Sequence, residues 1–204
     1  MHTFNPSSTQ SEVPASESIL PRLHVIGNAA LLDLSLVGLL CSTRLTGTAI
    51  LRLYDLAHTL RDAEIPVIGG FHTPMERECL RILLRGRQPV VVCPARSLER
   101  MRLPVDWQTA IGEERLLIVS ALHEGNRRVT VGLAERRNRL VLALARALIV
   151  GSAGPGSRSE RLSVEALDAG KRVYTLDLPE NEKLRALGAP MYGVKELISR
   201  LGSQ

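Results

Sequence analysis

Three stretches of small, hydroxyl-bearing and glycine residues hold most of the chemistry this chain can offer, and each follows an apolar run. They are Cys41-Ser42-Thr43-Arg44-Leu45-Thr46-Gly47, Gly69-Gly70-Phe71-His72-Thr73-Pro74 and Gly151-Ser152-Ala153-Gly154-Pro155-Gly156-Ser157. Such stretches suit an anion. Backbone N–H groups that a helix start leaves unpaired, reinforced by the helix dipole, are ready donors to phosphate. Glycines let a ligand come close to the backbone, and the planar fork of arginine fits phosphate better than a point charge does. The third stretch is not a Walker A loop, because the Gly-Lys-Ser/Thr ending is missing. Nor is it a GxGxxG turn in its usual place after the first strand. The first stretch is also open to reading as an ordinary strand–helix turn, and His72 as a capping or packing histidine.

A fourth cluster, Arg136-Arg137-Asn138-Arg139, is expected at the start of a helix. It is either a solvated basic face or an arrangement in which the asparagine bonds a neighbouring loop while the arginines face outward. Catalysis has thinner support. The chain has no Ser-His-Asp order in a nucleophile elbow, no HExxH and no adjacent carboxylate pair. Glu76, Glu78 and Glu160 lie near the candidate stretches, where glutamates serve the helix dipole. Cys41, Cys79 and Cys93 are scattered, without CxxC spacing or a histidine placed for zinc, and read as buried small residues of a reducing compartment. The residues point to binding rather than catalysis, with no metal and no cofactor.

The elements that must position these residues alternate along the chain. Strands are expected over Leu23–Ile26, Leu34–Cys41, Ile65–Ile68, Pro89–Cys93, Leu116–Ser120, Leu148–Val150 and Arg172–Leu176. Helices are expected over 49–63, from the Thr73 N-cap to Gly86, over 134–145, 160–169 and 194–201. In the first of these, Ile50, Leu53, Tyr54, Ala57 and Leu60 recur at helical spacing. The strands are near-continuous apolar runs, the mark of strands buried on both faces. The fold class that follows is α/β, Rossmann-like, with a mostly parallel sheet and helices on both faces. In such sheets ligands sit outside the carboxyl ends of the strands, which is where the three stretches fall.

Composition sets the outer bounds. The 204 residues suit one domain, taken as 19–204, preceded by a Ser/Thr/Pro/Glu-rich tail over 1–18 that is expected to be disordered. No apolar run reaches a membrane span, and the first residues lack the basic start of a secretory signal, so a cytoplasmic location is expected. The net charge is +5, with only three lysines among the basic residues. Six aromatic residues are too few for a base-stacking platform, so any nucleic acid would be held through its phosphates.

Taken in order, these segments resemble one family. Gly27-Asn28, Leu-Val-Gly-Leu-Leu-Cys-Ser-Thr-Arg (36–44), Ile-Gly-Gly-Phe-His (68–72), Pro-Val-Val-Val-Cys (89–93), Arg-Leu-Leu-Ile-Val-Ser (115–120), Arg-Arg-Asn-Arg-Leu-Val (136–141) and the Gly-Ser stretch ending at 157 are similar to the Rossmann-like core of the DNA-processing protein A (DprA/Smf) family. The resemblance implies a cytosolic, non-catalytic, homodimeric protein that binds single-stranded DNA and hands it to a recombinase. It implies a basic phosphate pocket made by Ser42, Arg44, Gly69, Gly70, Arg137, Asn138, Arg139, Gly156 and Ser157. Two departures stand out. Phe71-His72-Thr73-Pro74 replaces the family's Ala-Arg-Gly-Ile-Asp continuation, and Gly151-Ser152 stands where an acidic residue often ends the later strand. The wider superfamily also contains LOG nucleotide-modifying enzymes, and Pro155-Gly156-Ser157-Arg158-Ser159-Glu160 resembles a shortened form of their motif. A pocket that binds or hydrolyses a nucleotide-derived small molecule is therefore the alternative.

Overall fold

The computed structural model describes residues 10–13, 22–122 and 129–202. Strands β3 (Val37–Cys41), β4 (Val67–Gly69), β5 (Val90–Val92), β6 (Leu116–Ser120) and β7 (Ala147–Ser152) are buried at every position, as their unbroken apolar runs require. Two further strands, β8 (Arg172–Leu176) and β9 (Met191–Tyr192), extend the sheet beyond β7. Across β6-β5-β4-β3-β7-β8-β9 the pairings are parallel. Beyond β6 the sheet turns antiparallel, with β2 (Leu23–Gly27) on β6 and β1 (Gln10–Val13) on β2. The fold class is α/β and Rossmann-like. The strand β1 corrects the expectation of an unstructured tail at these four residues: their ladder to β2 is non-local and leaves no trace in a polar composition. Residues 1–9 and 14–18 of that tail lie outside the described residues.

Helices cover both faces. One core packs α1 (Gly47–Asp62), α2 (Pro74–Leu83), α3 (Val105–Gly112) and α7 (Val194–Gly202) against one set of alternate strand residues, Val37, Leu39, Val67, Val90 and Ile149 among them. On the other face α4 (Val131–Leu144), α5 (Arg158–Asp168) and α6 (Glu182–Ala186) cover Ile68, Val91, Leu117, Leu148 and Val150. In α1 the inward stripe is Ala49, Leu53, Leu56, Ala57 and Leu60, while Ile50 and Tyr54 lie at its exposed margin. The start of α4 is three residues earlier than expected because Thr130 caps it, accepting from Leu133 N at 3.3 Å.

Candidate functional site

The chain leaves β3 towards β4 on one side and returns to β7 on the other. The connections diverge there and leave a crevice at the strand ends, the usual ligand position in an open parallel sheet. A basin of about 610 Å³ opens in it, walled by residues 40–44 at and beyond the end of β3, His72 and Thr73 after β4, residues 154–159 of the β7–α5 turn and the start of α5, and Ala134 and Asn138 of α4.

The first and third turns are tied to each other. Register runs Leu40 to Val150 and then Cys41 to Ser152, so Gly151 is an extra residue that bends β7 over α1. A Cβ on Gly151 would stand 2.3 Å from Leu53 Cδ2. Ser42 N donates to Ser152 O at 2.8 Å, and Gly154 N donates to Ser42 Oγ at 3.3 Å. Asn181, fully buried, clamps the same turn from behind: its Oδ1 accepts from Ala153 N at 2.9 Å. Its Nδ2 donates to Gly151 O at 3.2 Å and Leu176 O at 2.8 Å. Gly156 takes φ +71°, a left-handed conformation that other residues resist. Ser157 then caps α5, accepting from Glu160 N at 3.0 Å. The buried Glu160 carboxylate accepts from Gly156 N at 3.2 Å and pairs with Lys183 Nζ at 2.5 Å. Helix geometry leaves the N–H groups of Arg158 and Ser159, in the first turn of α5, without intrahelical acceptors.

The second turn is organised by Glu76. Thr73 and Glu76 form a capping box, with Thr73 Oγ1 accepting from Glu76 N at 3.1 Å. The carboxylate also accepts from His72 N at 3.0 Å, Thr73 N at 3.2 Å and Cys41 N at 3.3 Å, and it lies 2.9 Å from His72 Nδ1. Burial pushes this carboxyl upward, but the His72 hydrogen bond and charge, with the Thr73 and His72 N–H groups, outweigh it and hold it below the ordinary glutamate value. Beside it Phe71 takes φ +46°.

Arg137 lies under this turn and is buried, its guanidinium flat against Gly70: a Cβ there would come within 2.1 Å of Nη1. It donates to Cys93 O at 3.4 Å and Asn138 Oδ1 at 2.6 Å, and its Nη2 lies 3.0 Å from His72 Nδ1. Burial lowers its pKa, opposed by Glu76 and Cys93. The expected outward arginines are thus corrected in part. Successive residues of α4 turn about 100° apart, and Arg137 faces the interior, Asn138 the basin and Arg139 the far side.

Of the residues singled out from the sequence, Ser42, Arg44, His72, Asn138, Gly156 and Ser157 wall the basin. Gly69, Gly70 and Arg137 form the layer beneath it. Arg139 is in a separate groove of about 190 Å³, paired with Glu165 at 3.0 Å. Sequence reasoning missed Arg158, whose signal was its place directly after Ser157, and Asn181, which carries no local signal. Arg44 and Arg158 are exposed in the basin wall, and among the described residues neither has a carboxylate partner. The thiols offer no nucleophile: all three are buried, and desolvation pushes Cys79 and Cys93 up to about 12 and Cys41 up as well. Among the described residues no cluster of three His, Cys, Asp or Glu side chains could hold a metal ion, and no helix is long and apolar enough to cross a membrane. The arrangement fits an anion: two exposed guanidinium groups, hydroxyls, a half-exposed imidazole and helix N-termini.

A family model described as DNA recombination-mediator protein A matches residues 9–192. No curated protein sequence matches the chain. Among solved structures, the DNA processing protein A of Helicobacter pylori, studied for its mode of single-stranded DNA binding, is 21% identical. It superposes with a TM-score of 0.74 over 98% of this chain and 99% of its own. DNA processing protein A of Streptococcus pneumoniae is 15% identical, with a TM-score of 0.73 over 92% of this chain and 72% of its own. The molybdenum cofactor carrier protein of Chlamydomonas reinhardtii is more distant, at 15% identity and a TM-score of 0.57, covering 82% of this chain and 96% of its own. These likenesses establish a shared fold.

Proposed function

The chain belongs to the DNA recombination-mediator protein A family, and from that membership we propose that the basin beside β3 and β7 binds the sugar–phosphate backbone of single-stranded DNA without catalysis. One observation carries the reading. Three turns far apart in sequence meet on one rim of the sheet and leave Arg44 and Arg158 in the same wall with no carboxylate partner among the described residues. No Phe, Tyr or Trp stands in that wall, so phosphate contacts rather than base stacking must supply the affinity. Family membership favours DNA over the LOG-like hydrolytic alternative, and a free nucleotide is the competing occupant of the same basin. A homodimer, delivery to a recombinase and a cytoplasmic setting belong to this proposal. Family membership supports the first two, and three free buried thiols fit the third.

Fluorescence anisotropy with a labelled oligodeoxythymidine tests it. Affinity should fall steeply with salt. Arg44→Ala and Arg158→Ala should each weaken binding to every sequence alike and reduce the salt slope by about 0.7. Unchanged binding in the double variant removes the basin from the function. Competition by AMP at equal phosphate concentration would favour the nucleotide instead.

A further inference from the structure

His72 reaches from the basin wall to two buried groups of opposite charge. Its Nδ1 lies 2.9 Å from Glu76 Oε2 and 3.0 Å from Arg137 Nη2, while the side chain is 45% exposed in the wall. One ring nitrogen serves one of these neighbours at a time. Without a proton Nδ1 accepts from the guanidinium; with one it donates to the carboxylate. Arg137 has other acceptors in Cys93 O and Asn138 Oδ1, so it keeps two of its three partners when the ring pairs with Glu76. The nitrogen left to face the basin is Nε2, and it must carry a proton to bond a phosphate oxygen. While Nδ1 accepts from Arg137, the neutral ring carries its proton on Nε2 and already donates to a phosphate; a second proton lets Nδ1 donate to Glu76 and makes the ring a cation between a carboxylate below and a phosphate above. The left-handed backbone of Phe71, unusual for an aromatic residue, immediately precedes His72 and fixes the direction of this turn.

We propose that Glu76 is a positioning residue that holds His72 so that phosphate capture draws a proton onto the imidazole, making DNA binding tighten as pH falls. The inference rests on the DNA-binding reading and names the regulation of that same site. The charged and titratable groups around the ring come from every neighbouring element. Glu76 of α2 and the incoming phosphate favour the proton. Arg137 of α4, Arg44 after β3 and Arg158 of α5 oppose it. Cys41 of β3 and Cys93 after β5 stay neutral in their burial. An incoming phosphate adds a second negative group beside the ring and so favours its doubly protonated form.

Binding of a labelled oligodeoxythymidine is measured from about pH 5.5 to 8.5 at constant ionic strength, with calorimetry in buffers of different ionisation heat. The expected result is affinity rising towards acid by up to about tenfold per pH unit, with one proton taken up per complex. His72→Gln should flatten the profile, and Glu76→Gln should abolish the proton uptake while Arg44→Ala weakens binding with the slope intact. His72 sits on an exposed turn, so His72→Gln decides the matter even if Glu76→Gln fails to fold. A wild-type slope in His72→Gln, or salt-dependent binding without proton uptake, overturns the coupling and leaves the DNA reading standing. No salt-dependent DNA binding at any pH overturns both.

Discussion

A guanidinium lying flat on a glycine is a contact that tolerates no side chain. Arg137 is buried with three polar partners, and Gly70 is the surface it rests on. Gly70→Ala must push this charge off its acceptors or distort the turn that carries His72. A buried charge deprived of partners is among the costlier defects. Gly70→Ala should therefore lower the unfolding free energy by about 2–3 kcal/mol in urea titration, with an unchanged slope of the transition. A midpoint equal to wild type would mean that Arg137 moves aside freely. The sequence drew attention to both residues as phosphate contacts. Their position beneath the wall comes from packing, the face of α4 that carries Arg137 lying against the turn after β4.

Among the elements, the β7–α5 turn depends most on a distant partner. Its glycines allow the path, but they do not choose it. Asn181, which precedes α6, chooses it by bonding one backbone N–H and two carbonyls. Removing that amide leaves three buried backbone groups short of partners, each worth about 1–3 kcal/mol if no water replaces it. Asn181→Ala should cost about 2–3 kcal/mol of stability. It should also weaken oligonucleotide binding, although Asn181 is outside the basin wall. Thermal melting and anisotropy on the same preparation check both halves. Full affinity in a destabilised variant would show that the turn keeps its shape unaided.

At the scale of the whole molecule, Glu76 ties β3, the turn after β4 and α2 into one unit through a single buried carboxylate. Its folded pKa is depressed, so its contribution to stability is complete above the ordinary value of 4.5 and is lost as pH falls through the lower folded value. The unfolding free energy should drop on acidification below about pH 4.5, and Glu76→Gln should be less stable at neutral pH with a shallower acid slope. Urea unfolding at several pH values measures this; parallel acid slopes in the two proteins would contradict it. Exposed pairs such as Arg139–Glu165 add little to this dependence, since water screens them.

The chain by itself determined the parallel strands, the helices between them and the rim on which the small-residue turns gather. These follow from local facts: unbroken apolar runs, helical spacing and the capping chemistry of Thr73 and Ser157. Only the tertiary structure decided which of those residues meet a ligand. It set Arg137 inside and Arg139 outside, brought Arg158 into the wall, and recruited Asn181 and Glu76 as supports. It also added the antiparallel edge of β1 and β2, whose ladder joins residues distant in sequence. The reason is one of range. Burial pattern and caps are read within a few residues, whereas a bulge at Gly151, the rotation of α4 and a buried amide clamp depend on what arrives from elsewhere in the chain.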